Sequence, residues 1–95
     1  MTPFEVRVTA RFERELKQLS ARHPGLPKLY AAILPILQDD PYNLTRSHAV
    51  KKLAGVGAGD GQYRIRSGRF RFRYDISEQV VYLKACSLRR EDTYR

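Results

Sequence analysis

Cysteine is almost absent: Cys86 stands alone in 95 residues, which excludes an internal disulfide and any cysteine-based metal cluster. A chain of this kind suits a reducing setting, the cytoplasm. Histidine is nearly as scarce, with only His23 and His48, both outside the segments that read as sheet, so a nucleophile paired with an imidazole base has few places to form. Carboxylates are scattered, adjacent only at the turn-like Asp39-Asp40 and at Glu91-Asp92, and no divalent metal is implied. The glycines between Gly55 and Gly61 lack the preceding strand and the Gly-Lys-Ser/Thr ending of a phosphate-cradling loop, so no small-molecule cofactor is expected. Long apolar runs are missing too. The longest, LYAAILPIL at Leu29–Leu37, is too short to span a bilayer, and MTPFEVRV lacks the charged start and apolar stretch of a signal peptide. The expectation is a soluble protein with no membrane partner.

What the chain has in excess is positive charge. Net charge is +8, with 18 Lys and Arg against 10 Asp and Glu. Residues 49–95 hold eleven of the cations and only five of the carboxylates. Such asymmetry points to a polyanionic partner, most economically nucleic acid, although an acidic protein or a membrane surface gives the same arithmetic. The length suits one small domain over residues 1–95, with no repeat and no linker to mark a second.

The charge concentrates in QYRIRSGRFRFRYD at Gln62–Asp75. Tyr63 and Ile65 alternate with Arg64 and Arg66, and Phe70, Phe72 and Tyr74 alternate with Arg69, Arg71 and Arg73. This period of two marks strands with one apolar face. A two-residue loop at Ser67-Gly68 predicts a hairpin in which residue 66 faces 69, 65 faces 70 and 64 faces 71. The arginines then share a face. Opposed like charges destabilise a strand pair by about 0.2–1 kcal/mol, so stability alone does not select this arrangement. A solvated outer face would mix signs; a face made of arginine offers planar forks that match phosphate oxygens and stack on bases.

Elsewhere the patterns are short and regular. FEVRV at Phe4–Val8 predicts a first strand, and Thr9 caps a helix whose face is Phe12, Leu16 and Leu19. His23-Pro24-Gly25 breaks it. Pro27 opens a second helix with Leu29, Ile33 and Leu37 in line, which Pro35 should kink or loosen near its end. A turn-rich connection follows, with a short structured piece around Val50–Leu53, then the arginine hairpin and a buried strand at Val80–Ser87. The predicted fold is α+β: a short N-terminal strand, a two-helix hairpin, then three antiparallel strands, with the helices packed on one face of the sheet and the arginines on the other.

A face of this kind permits metal-free chemistry on RNA, because RNA carries its own nucleophile in the 2′-hydroxyl. The protein has then to orient the backbone, stabilise charge on the phosphoryl oxygens and move protons. Arginine does the first two and is a poor base, which leaves Lys51, Lys52, His48 and Tyr94 as alternatives for proton transfer.

The run KKLAG at Lys51–Gly55, then YRIRSGRFRFRYDI at Tyr63–Ile76, then LRREDTYR at the C-terminus resembles the RelE/ParE superfamily of bacterial and archaeal toxins. The resemblance covers nearly the whole chain and implies a RelE-like fold. It implies the toxin of a type II toxin-antitoxin system, a ribosome-dependent mRNA endonuclease acting by 2′-hydroxyl attack, with a cognate antitoxin, the ribosome and mRNA as partners. The alternatives are a ParE-like inhibitor of DNA gyrase and a non-catalytic basic RNA-binding module. Carried over by position, the resemblance assigns Arg64 and Arg66 to the strand positions facing the scissile phosphate, where the best-known RelE members have lysines. That departure leaves the general base open. Arg71 corresponds to the phosphate-contacting arginine of the next strand, Arg89 or Arg90 to the basic residue after the last strand, and Tyr94 to the C-terminal tyrosine that stacks on a base. Lys51, Lys52, Arg69, Arg73 and Arg90 are the candidates for further RNA contacts.

Overall fold

The computed structural model describes residues 2–89. The elements run β1 (Glu5–Val8), α1 (Ala10–Arg22), α2 (Leu26–Asp39), β2 (Val50–Lys52), β3 (Tyr63–Ser67), β4 (Phe70–Ser77) and β5 (Val80–Leu88). They build a five-stranded sheet in the order β1-β5-β4-β3-β2. The expected α+β architecture is present, with two corrections to the sheet. Val50–Lys52 adds a strand by pairing antiparallel with the open edge of β3, so four strands follow the helices rather than three. The N-terminal strand pairs parallel with β5, which makes the sheet mixed. A parallel pair requires a long crossover, and the two helices are part of what lies between these strands.

Local chemistry accounts for the helices. The Thr9 hydroxyl accepts from the Phe12 N–H at 3.2 Å, satisfying one of the orphan donors at the start of α1, and itself donates to the Leu83 carbonyl at 3.0 Å, tying the cap to β5. Pro27 sits in the first turn of α2, where its missing N–H costs no bond. Pro35 does not end that helix, which continues to Asp39. Helix α2 crosses the sheet: Ser67 donates to the Leu29 carbonyl at 3.2 Å beside β3, and the Phe4 N–H donates to the Gln38 carbonyl at 2.8 Å beside β1.

Between helices and sheet lies the core, Phe12, Leu26, Ile33 and Leu37 from the helices and Ile65, Phe70, Phe72, Tyr74, Val81, Leu83 and Cys86 from the strands. The apolar half of the hairpin alternation is thus buried as expected. Tyr74 is fully buried and its hydroxyl donates to the Pro41 carbonyl at 2.7 Å, which anchors the loop after α2; burial raises its phenol pKa.

The hairpin register is corrected by the structure. The turn is Gly68-Arg69, so Ser67 faces Phe70, Arg66 faces Arg71, Ile65 faces Phe72 and Arg64 faces Arg73. Gly68 takes φ +59°, the positive value required at the first central position of a II′ turn. The slip is two residues, so every side chain keeps its face.

Candidate nucleic-acid interface

On the outer face the register sets side chains into two rows. Lys51 of β2 faces Arg64 of β3, which faces Arg73 of β4, which faces Ala85 of β5. In the next row Arg66 faces Arg71, which faces Ser87. The sheet therefore carries five cations on three adjacent strands, and β4, which supplies two of them, is its central strand. Toward β1 the face changes character, since Arg7 is held by Glu5 at 2.6 Å. The cations are densest in the β2-β3-β4 half.

The arginines are not equivalent. Arg66 is exposed, whereas Arg64, Arg71 and Arg73 are half-buried, their stems lying on the sheet. Arg73 is engaged with backbone: its Nε donates to the Gly61 carbonyl at 3.1 Å and its Nη2 to the Asp60 carbonyl at 2.8 Å. A Cβ on Gly61 would stand 3.0 Å from the Arg73 Cβ, so only glycine lets the loop lie this close. Asp75, the carboxylate that follows on the same strand, is buried and accepts from the N–H groups of Gly61 and Gln62 at 2.9 and 3.0 Å. Together Arg73 and Asp75 fasten the glycine-rich loop across the end of the face. That fastening was not visible in the sequence, where Arg73 reads as one more exposed cation.

The remaining candidates fall in different places. Lys52 alternates away from Lys51, with its Nζ 5.7 Å from the centre of the Tyr63 ring. Arg69 is exposed in the turn, and its carbonyl accepts from the Arg89 N–H at 2.7 Å, which brings exposed Arg89 to the turn end of the sheet near the Arg66-Arg71 row. Arg90 and Tyr94 lie outside the described residues. His48 belongs to another cluster: its Nε2 is 3.8 Å from Asp40 Oδ2, and Asp40 also accepts from the Thr45 hydroxyl at 2.7 Å and the Leu44 N–H at 2.8 Å. The Thr45 hydroxyl first, with the backbone N–H groups and His48 adding, holds the Asp40 carboxyl below its usual value. These contacts shape the loop leading into β2.

A cleft of about 430 Å³ lined by Arg11, Asp60, Arg73 and Lys84 adjoins the first row at its β5 end. Lys84 is the extra residue at a bulge, skipped where Arg73 pairs with Ala85 and Tyr74 with Leu83, a device that re-aims a side chain. A larger cavity, about 840 Å³, is lined by Phe4, Pro41, Tyr42 and Leu44 among others and has no lysine or arginine in its wall. Among the described residues no three His, Cys, Asp or Glu side chains gather as metal ligands, and no helix is long and apolar enough to cross a membrane.

No protein-family model and no curated protein matches the sequence. Solved structures do. A chain of the RelBE2 toxin-antitoxin complex of Mycobacterium tuberculosis superposes with a TM-score of 0.70 at 24% identity, over 94% of this chain and 94% of that one. The chain has the RelE fold. A chain of the archaeal RelE-RelB complex of Pyrococcus horikoshii matches with a TM-score of 0.67 at 25% identity, over 96% of this chain and 99% of that one. The RelB-RelE complex of Methanococcus jannaschii gives 0.54 at 15% identity, over 85% and 87%. The RelE fold here thus spans nearly the full length of both partners in the two higher-scoring comparisons.

Proposed function

We propose that the chain is the toxin of a type II toxin-antitoxin pair and that it cuts mRNA on the ribosome. Likeness to chains from three toxin-antitoxin complexes supports the first part. The observation that carries the second is the pair of cationic rows, Lys51-Arg64 and Arg66-Arg71, set side by side on adjacent strands. A phosphodiester laid across β3 and β4 meets guanidinium forks from both strands. Charge building on its non-bridging oxygens is then stabilised by donors already in place, which lowers the barrier to attack by the adjacent 2′-hydroxyl. Arg64, Arg66 and Arg71 have this role, and Arg89 extends the grip beyond the turn.

The same cationic surface explains the need for an antitoxin. A short acidic or amphipathic partner that folds on binding neutralises it and blocks access of RNA. Induction of the chain alone should stop growth and produce new 5′ ends within translated messages, mapped by primer extension, and co-expression with its partner should remove both. Intact messages with cleaved or relaxed DNA would indicate gyrase as the target and overturn the endonuclease reading. Unchanged growth would reduce the chain to a basic binding module.

A further inference from the structure

On the endonuclease reading, we propose that Lys51 is the general acid, protonating the 5′-oxygen as it leaves phosphorus. The sheet register brings the lysine to the site. Lys51 faces Arg64 directly across β2 and β3, on the outer face, and opposed residues share a face. Strands lie about 4.8 Å apart, so a phosphate gripped from β3 and β4 leaves a bridging oxygen within the span of a lysine side chain one strand away. Lys51 is exposed on the edge strand and able to swing toward it.

Among the described residues, the two other proton carriers beside β2 are directed elsewhere. Lys52 lies beside the Tyr63 ring, and His48 sits against Asp40 in the loop before β2. Guanidinium is not deprotonated in proteins, so the arginines of the face serve as fixed charge. A lysine ammonium can give a proton to an alkoxide, which is far more basic than the amine left behind. The step balances: the 2′-oxygen bonds to phosphorus while the bond from phosphorus to the 5′-oxygen breaks. The leaving oxygen takes the Lys51 proton, and the 2′-hydroxyl proton passes to water. The products are a 2′,3′-cyclic phosphate and a 5′-hydroxyl end, and the amine is reprotonated from solvent.

The test compares wild type, Lys51→Ala and Lys51→Arg on ribosomes programmed with an mRNA whose cut position carries either the natural 5′-oxygen or a 5′-sulfur. A thiolate leaves without protonation, so it removes the need for the acid. Both variants should cut the oxygen ester about a hundredfold or more slowly, in the range expected for loss of a general acid, and cut the sulfur ester within about threefold of wild type. Lys51→Arg keeps the charge, so its failure on oxygen with rescue on sulfur separates proton donation from phosphate binding. Wild-type rates for Lys51→Arg on the oxygen ester, or equal losses on both substrates, would overturn the role of Lys51 alone. Wild type that leaves both substrates intact would overturn the endonuclease reading and this role with it.

Discussion

Arg66 and Arg71 face one another across β3 and β4, two like charges on one face of the sheet. Directly opposed like charges cost a strand pair about 0.2–1 kcal/mol. Arg71→Ala should still fold, because the side chain lies on the outer face and not in the core. Each charge-assisted contact to an oxyanion contributes about 1.5–3 kcal/mol, so cleavage should fall on the order of ten- to a hundredfold. If both side chains hold one phosphate, the double variant with Arg66→Ala should lose less than the product of the two single losses. Arg69→Ala, out in the turn, should keep most activity. Full activity in a folded Arg71→Ala protein, with loss in Arg69→Ala, would move the phosphate off these rows.

The alternation in QYRIRSGRFRFRYD was enough to separate an apolar face from an arginine face, because side-chain direction depends only on parity. It could not distinguish a turn at Ser67-Gly68 from one at Gly68-Arg69, since the two registers differ by two residues and present the same faces. Arg71 was therefore expected opposite Arg64 and stands opposite Arg66. The parallel pairing of β1 with β5 joins segments 75 residues apart, as in Glu5 with Val80, and leaves no local trace. Arg73 shows the same limit at the site. Its neighbours in sequence mark it as an outward cation, and only the fold brings the carbonyls of Asp60 and Gly61 to its guanidinium.

Gly68→Ala tests the corrected turn. The residue has φ +59°, and an added Cβ would stand 2.8 Å from Leu29 Cδ1 on α2. The backbone conformation alone costs an L-residue about 1–2 kcal/mol, and the contact adds to it. Chemical denaturation should show a loss of that size or more with the slope unchanged. A stability equal to wild type would be incompatible with this turn geometry.

Cys86 should be chemically silent in the native protein. Burial first, and the Glu15 carboxylate second, raise its thiol pKa to about 12, so almost no thiolate exists at pH 8. Glu15 lies close because its Oε1 accepts the Cys86 N–H at 3.0 Å. A thiol-directed disulfide reagent at pH 8 should react only as fast as the protein opens, and promptly once denaturant unfolds it. Rapid stoichiometric labelling under native conditions would show that α1 does not cover β5 as described.

Asp40 gives the fold a specific response to acid. Its carboxylate is buried and receives the Thr45 hydroxyl and the N–H groups of Leu44 and Thr45, with His48 Nε2 at 3.8 Å. These contacts lower the folded-state pKa beneath that of the unfolded chain, about 3.9 for an aspartate. A lowered pKa contributes stability that is fully present above the unfolded value and is lost as pH falls through the folded one. Asp40→Asn removes the charge and keeps the size, so it should destabilise by about 1–2 kcal/mol at pH 6–8, the scale of hydrogen bonds to a charged acceptor. The difference from wild type should stay level down to about pH 5 and shrink below about pH 4, as the wild-type carboxyl takes up its proton. Because the Asp40 loop leads into β2, the variant should also loosen the Lys51 strand, seen as faster amide exchange at Arg66, whose N–H donates to the Ala49 carbonyl at 3.1 Å. A stability gap that widens toward pH 3 would mean that folding raises the Asp40 pKa instead of lowering it.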